Sequence, residues 1–178
     1  MFKQLNWMLR KRALRKCKLL VLDVDGVLTD GSLVYSKNEI IRNFSVLDGL
    51  GLKMLIKSGV EVAFLSGGKG ETIHSRAKHL GVKYCYTEVL NKYKVLMDLQ
   101  QFLSIKKSET IYVGDDLNDL IVKPIVNLFI IPNNASQILG KSSDCSTIRN
   151  GGDGAVREIC DRILNIKNQR YSSIEITN

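Results

Sequence analysis

Short apolar runs recur along the chain, each ending in polar or glycine-rich sequence: KLLVLD at 18–23, VEVAFLS at 60–66, VKYCYTE at 82–88, TIYVGD at 110–115 and NLFIIP at 127–132. Runs this short and continuous predict strands buried on both faces, as in a parallel sheet. Between them apolar residues fall three or four apart: Ile73, Ala77 and Leu80, then Val95, Leu96, Leu99 and Leu103, then Val156, Ile159, Ile163 and Leu164. That spacing predicts helices with one buried stripe. The alternation of the two periods predicts an α/β fold, a Rossmann-like parallel sheet with helices on both faces.

One segment departs from the alternation. SLVYS at 32–36, the turn residues Lys37 and Asn38, and EIIRNFSV at 39–46 read as a small β-hairpin inserted directly after the first strand. It is too short to be a domain. RNGGDG at 149–154 is a flexible glycine cluster. The pattern divides the chain into a basic N-terminal helix at 1–16, a folded domain at 17–168 and a polar C-terminal tail at 169–178, expected to be disordered.

With 178 residues, 44% apolar and 25% charged, the chain suits one globular domain with a real core. A formal charge of +8 suggests a nucleic-acid binder until the charge is located. Lys3, Arg10, Lys11, Arg12, Arg15, Lys16 and Lys18 all precede the first acid, and the remaining 19 bases face 18 acids. The body is therefore nearly neutral, and the basic segment needs its own explanation. Leu5, Met8, Leu9 and Leu14, with Trp7 nearby, form one helical face, which suits a helix that caps the domain. Binding of nucleic acid or a membrane surface through this segment is the reading of a different class. The segment lacks the apolar stretch and cleavage site of a secretory signal, and no stretch approaches ~20 apolar residues. The expectation is a cytoplasmic protein without stable membrane insertion and without a nucleic-acid partner.

Cys17, Cys85, Cys145 and Cys160 are too scattered for a CxxC metal site and too few for a disulfide framework, so they read as free thiols. His74 and His79 are five apart, which does not place two ligands on one helical face.

The chemistry concentrates where strands end. In LVLDVDGVLTDG a buried strand stops at Asp23, with Asp25 two residues on and Gly26 permitting a sharp turn. Ligands of parallel sheets bind at the carboxyl ends of strands, so both acids face the expected site. TIYVGDDLND repeats the pattern with Asp115, Asp116 and Asp119. Five converging carboxylates repel one another unless a hard cation neutralises them, and an oxygen-only ligand set fits magnesium. A third strand ends at Ser66, where GGKGE offers a hydroxyl and backbone N–H groups, Gly67 among them, to an anion. Lys92 opens the next helical stretch and supplies positive charge for a phosphoryl group.

In this order the segments resemble the haloacid dehalogenase superfamily of phosphatases, with its DxDG, Ser or Thr, Lys and GDxxxD motifs, across about residues 18–166. The resemblance implies that Asp23 attacks phosphorus and that Asp25 first protonates the leaving alkoxide and then activates water against the phospho-aspartate. It implies Mg2+ held by Asp23, the Asp25 backbone carbonyl and Asp115, with Ser66, Gly67 and Lys92 on the phosphoryl oxygens. Asp116 and Asp119 have supporting roles in it. The intervals 24–65 and 67–91 leave no room for a cap domain.

DGVLTDG, the hairpin, FSVLDGLGLKML, LNK and GGDGAVRE further resemble the capless 3-deoxy-D-manno-octulosonate 8-phosphate phosphatases and their sialic-acid-pathway relatives. That likeness implies an acidic sugar phosphate substrate and a homotetramer in which a neighbour helps close each site. It also implies that Asp48, Gly151 and Gly152 lie near substrate or an interface, with Arg157 in support. Two positions depart from the family pattern: Leu47 stands where an Arg is common, and Gly68 where Arg or Glu is common. They leave a nonulosonate 9-phosphate or another acidic sugar phosphate as the alternative substrate, and Lys69 is a candidate substitute for the lost base.

Overall fold

The computed structural model describes residues 7–37 and 40–167. Leu5, Asn38 and the 169–178 tail lie outside the described residues. Helix α1 (Lys11–Lys16) leads into strand β1 (Leu19–Leu22), and a hairpin of β2 (Val34–Tyr35) and β3 (Ile40–Ile41) follows. The chain continues through α2 (Val46–Lys57), β4 (Glu61–Leu65), α3 (Glu71–Leu80), β5 (Tyr84–Tyr86), α4 (Lys92–Leu103), β6 (Thr110–Val113), β7 (Leu128–Ile131), β8 (Cys145–Ser146) and α5 (Ala155–Ile166). Among the described residues there are also three 3-10 segments, the longest at Leu117–Ile125.

The sheet has six parallel strands in the order β5-β4-β1-β6-β7-β8. In β1, Leu20 and Leu22 face one apolar layer and Leu19 and Val21 the other. The first layer also holds Val62, Phe64, Val113, Ile130 and the buried stripe of α5; the second holds Leu65, Tyr112, Phe129 and the stripe of α4. Two covered faces explain why the central strands read as unbroken apolar runs. Because β1 lies between β4 and β6 in register, Leu22 opposite Phe64 and Val113, the three chain exits at Asp23, Ser66 and Gly114 open at one edge.

Helix ends follow local chemistry. Asn91 Oδ1 accepts from the Lys94 N–H at the start of α4, and α3 ends on Gly81 in the left-handed region. Among the described residues of the hairpin, Val34 pairs with Ile41 and Tyr35 with Ile40. Of the 39–46 run, Val46 already belongs to α2, because the Ser45 carbonyl accepts the Gly49 N–H and starts a helix. Both α2 and β8 are elements that the apolar pattern did not mark.

Helix α1 packs against α5, with Leu14 buried. Ahead of it, Trp7 donates from Nε1 to the Ser146 carbonyl at 3.1 Å and lies under the Arg162 guanidinium, 4.5 Å from ring to cation. Arg10 pairs with Asp144 at 3.4 Å. The expected apolar face is narrower than the sequence suggests: Trp7 and Leu14 turn inward, whereas Met8 and Leu9 are exposed. Among the described residues no helix is long and apolar enough to cross a membrane, and all four cysteines are free.

Candidate active site

The chain leaves β1 at Asp23, whose N–H donates to the Val113 carbonyl at 2.9 Å. It then coils back at once, since the Val27 and Leu28 amides both donate to the Val24 carbonyl. Gly26 has φ +87°, and a Cβ there would overlap the Asp115 carboxylate. Only glycine satisfies both conditions. The overlap also places the Asp115 carboxylate directly against Gly26. The Thr29 hydroxyl accepts from the Gly26 and Gly31 amides and ties the loop together.

Asp119 is fully buried and anchors the second acidic segment. Its Oδ2 accepts from the backbone amides of Asp115 at 3.0 Å and Asp116 at 3.4 Å. Its Oδ1 accepts from Lys92 Nζ at 2.6 Å and from the Tyr112 hydroxyl at 2.6 Å. Asp116 caps the 3-10 turn, accepting from the Leu117 amide. Lys92, buried at the first position of α4, donates in turn to Asp23 Oδ1 at 2.9 Å. A Cβ at Gly114 would strike Asp119, so this close approach also requires a glycine.

At the third strand end, the Ser66 amide donates to the Tyr86 carbonyl, and Ser66 Oγ accepts from the Gly68 amide at 3.0 Å. The hydroxyl proton remains to be donated toward the cleft. Asp23, Asp25, Ser66, Gly67, Asp115 and Asp116 line a cleft of about 570 Å³. Lys92 reaches its floor through Asp23.

The electrostatics call for a cation. Burial first, and then the neighbouring Asp119, push the Asp23 carboxyl up to about 7 against the opposing pull of Lys92. Burial, then Asp119 and Asp116, raise Asp115 to about 6. Burial works against the charge on Lys92, but Asp23 and Asp119 outweigh it and raise its pKa. Burial, reinforced by Asp119, raises the Tyr112 phenol well above its ordinary value, so it donates as a neutral group. Carboxylate oxygens of Asp23, Asp115 and Asp119 lie within 4.8 Å of one another. Asp119 is already occupied by four donors, which leaves the second oxygen of Asp23 and the Asp115 carboxylate to face an ion. An all-oxygen set of this kind fits a hard divalent ion with room for water and phosphate.

The remaining expected residues lie elsewhere. Asp48 does not line the cleft: it is buried in the first turn of α2, and its carboxylate accepts from the Arg157 amide at 2.7 Å and the Gly154 amide at 3.4 Å. It thereby caps α5, because the first amides of a helix need an acceptor. The Arg157 side chain pairs with Asp161 at 2.7 Å on α5, away from the acids. Gly151 and Gly152 pack behind the Asp25–Thr29 loop, where the Gly152 amide donates to the Val27 carbonyl. In this chain they brace the site from behind. Lys69 lies 3.9 Å from Glu88 with both side chains exposed.

Two residues of the site escaped the sequence reading. Tyr112 looks like any core aromatic of a strand, and nothing in its neighbourhood along the chain announces Asp119. Arg42, in the hairpin, forks onto Asp25 with Nε and Nη2. One arginine beside a turn carries no sequence signal.

No family model matches the chain. The 3-deoxy-D-manno-octulosonate 8-phosphate phosphatase of Escherichia coli K12 is 39% identical over 148 residues, 83% of this chain and 79% of that protein. The crystal structure of the same-named phosphatase of Yersinia pestis superposes with TM-score 0.87 at 32% identity, covering 89% of this chain and 86% of the other. The Moraxella catarrhalis phosphatase, determined with a magnesium ion, a phosphate ion and a KDO molecule, gives 0.85 at 35% identity over 89% and 91%.

Proposed function

The chain belongs to the 3-deoxy-D-manno-octulosonate 8-phosphate phosphatase family of the haloacid dehalogenase superfamily, and on that premise we propose that it is a magnesium-dependent phosphoric monoester hydrolase acting on that sugar phosphate. The observation that carries the reading is Asp23, buried against Lys92 and Asp115 at the floor of a cleft that Asp25 and Ser66 also line.

Asp23 attacks phosphorus in line through its free oxygen, and the sugar alkoxide leaves on the opposite side with a proton from Asp25. Ser66, the Gly67 backbone and Lys92 hold the phosphoryl oxygens, and Lys92 keeps Asp23 oriented. Asp25 then takes a proton from the water that cleaves the phospho-aspartate. Asp23, Asp115 and the Asp25 carbonyl would hold magnesium, which when bound would supply charge neutralisation for the phosphoryl group. Asp119 orients Lys92 and the Asp115 backbone, and Asp116 caps the turn behind them.

The exposed apolar residues of the hairpin support a homotetramer. Val34, Tyr35 and Ile41 face outward on two-residue strands, and a hairpin of that size is not stable unpaired. The same reading puts the protein in the cytoplasm, in keeping with four free thiols. It needs no nucleic-acid or membrane partner to account for the basic segment, whose Trp7 and Leu14 pack on the body. Gly68 and Leu47 favour keeping a nonulosonate 9-phosphate as the second substrate reading, because neither supplies the charged contact common in the family.

Phosphate release with magnesium, measured on the octulosonate 8-phosphate, a nonulosonate 9-phosphate and a hexose phosphate, tests the reading. The first is expected to be preferred, and Asp23→Asn to abolish release. A preference for the hexose ester would overturn the substrate, and activity surviving Asp23→Asn would overturn the mechanism.

A further inference from the structure

The hairpin delivers one side chain to Asp25, behind the wall of the cleft, that the four motifs do not account for. Arg42 follows β3 directly, and its side chain is wholly enclosed while its neighbour Ile41 and the cross-strand Tyr35 stay exposed. Its Nε donates to Asp25 Oδ1 at 2.7 Å and its Nη2 to Asp25 Oδ2 at 3.0 Å. Nη1 donates to the Lys69 carbonyl at 3.0 Å and to Thr72 Oγ1 at 3.3 Å, and that hydroxyl donates to the Ile40 carbonyl. The guanidinium is thus fixed from the hairpin and from the segment after β4, and its fork fixes the plane of the Asp25 carboxylate. A two-pronged arginine contact sets orientation in a way that a point charge does not.

Gly68 is the other half of this arrangement. A Cβ at that position would lie 2.7 Å from Asp25 Oδ2 and 2.8 Å from Arg42 Nη2. Any side chain there would displace the pair. The absence of Arg or Glu at 68 therefore leaves the space that the fork fills.

From this geometry we infer that Arg42 is a positioning residue for Asp25, needed chiefly in the second half of the reaction; the inference rests on the reading above that Asp25 exchanges protons there. In that half the oxygen of water attacks phosphorus, and the bond from phosphorus to the Asp23 oxygen breaks with its electron pair returning to Asp23. Asp25 accepts the proton from water, and inorganic phosphate is the product. A carboxylate free to rotate would spend much of its time with no lone pair toward that water. Both oxygens are pinned by the fork, and the side chain is still a quarter exposed toward the cleft. In the first half the same carboxyl protonates the leaving group, a step that an aryl ester with an acidic phenol does not need. An aryl phosphate consequently isolates the second half.

Rapid mixing of the full chain with magnesium and p-nitrophenyl phosphate provides the test, on wild type, Arg42→Met and Arg42→Lys. Arg42→Met is expected to release about one equivalent of p-nitrophenol per site at a rate within about threefold of wild type. Steady-state turnover then falls about 10- to 100-fold, up to the lower limit of the ~10²- to 10⁴-fold that a positioned general base contributes, because Asp25 itself remains. Arg42→Lys restores the charge without the fork, and it is expected to melt near the wild-type temperature yet show the same burst and slow turnover. If the methionine variant does not fold, the lysine variant alone carries the comparison. Variants in which both phases fall together, or in which turnover is unchanged, would overturn the inference, as would full rescue by lysine. A wild type inert toward the aryl ester, or Asp23→Asn retaining turnover, would instead bring down the functional reading and this inference with it.

Discussion

The ammonium of Lys92 lies 2.9 Å from Asp23 Oδ1, and it is held there from behind by Asp119, whose Oδ1 is 2.6 Å away. A buried lysine between two buried carboxylates is fixed in place, because any other position leaves three charges unpaired in a poorly solvated interior. The pairing explains how Asp23 points into the cleft. It also makes Asp119 a stability determinant as well as a support for the site.

Asp119→Ala should accordingly cost both. The change strips acceptors from Lys92, the Tyr112 hydroxyl and two backbone amides at once. Breaking a buried pair in this way costs about 3–5 kcal/mol. Chemical denaturation of the metal-free protein should show a loss of that order, with activity nearly abolished. A loss under about 1 kcal/mol would mean that the network is open to water.

Metal binding should depend on pH in a definite direction. Asp23 is raised from 3.8 to about 7, so between those values the folded state holds a proton that the unfolded state lacks. The associated stability is complete below about pH 4 and is lost as the pH rises through about 7. Asp115, raised to about 6, acts in the same sense over a slightly lower window. Magnesium competes with those protons and offsets the repulsion left when they depart. The rise in melting temperature on adding magnesium to chelator-treated protein should therefore be larger near pH 8 than near pH 5.5. Equal increments at both would show that neither carboxylate is the ligand.

The hairpin offers a test of assembly. Tyr35 is 75% exposed on a strand of two residues, beside Val34 and Ile41. Tyr35→Asp places a charge where the proposed interface is apolar, and burying an unpaired charge is costly. Light scattering should report a shift from four subunits toward fewer, and the melting temperature should become concentration-dependent. A wild type that is monomeric throughout and fully active would remove the need for a neighbour at the site.

How much of this was readable along the chain depends on the range of each interaction. Strands β1, β4, β6 and β7 were legible because both their faces are covered, and the acids were legible because they stand where such strands stop. Helix α2 was not. Its Gly49 and Gly51 weaken the helical signal, and their purpose lies in other helices: a Cβ at either would press on Arg76 or Arg157. Strand β8 is two residues long and has no period to detect. Arg42 meets Asp25 and Tyr112 meets Asp119 only after the chain has folded, and Asp48 meets the start of α5 more than a hundred positions away.

The two hydrogen bonds that Asp48 accepts from the start of α5 have their own consequence. A helix cap contributes about 0.5–2 kcal/mol. Asp48→Ala should lower stability by that amount while leaving the apparent affinity for the sugar phosphate unchanged. Asp48→Asn keeps one acceptor oxygen, and because burial already raises the Asp48 pKa it should recover most of the loss. A rise in KM of tenfold or more in Asp48→Asn, with stability intact, would return this residue to the substrate.

Gly151 should be the residue behind the site least able to change. A Cβ there would overlap the Gly26 carbonyl, and Gly26 in turn has no space before the Asp115 carboxylate. Backbone stands on one side and an interlocked carboxylate on the other, so neither can yield as the end of a flexible side chain would. Gly151→Ala must therefore displace the Asp25–Thr29 loop against Asp115 and shift the Asp25 carbonyl with it. A displacement of about 1 Å at a reacting centre costs on the order of 100-fold in rate. Turnover should fall by about that factor and magnesium should bind more weakly, whereas Gly140→Ala, where a Cβ meets nothing within 4 Å, should leave both unchanged. Isothermal titration with magnesium separates the outcomes: an unaltered affinity in Gly151→Ala would show that the glycine loop does not set the position of the carbonyl proposed to hold the metal.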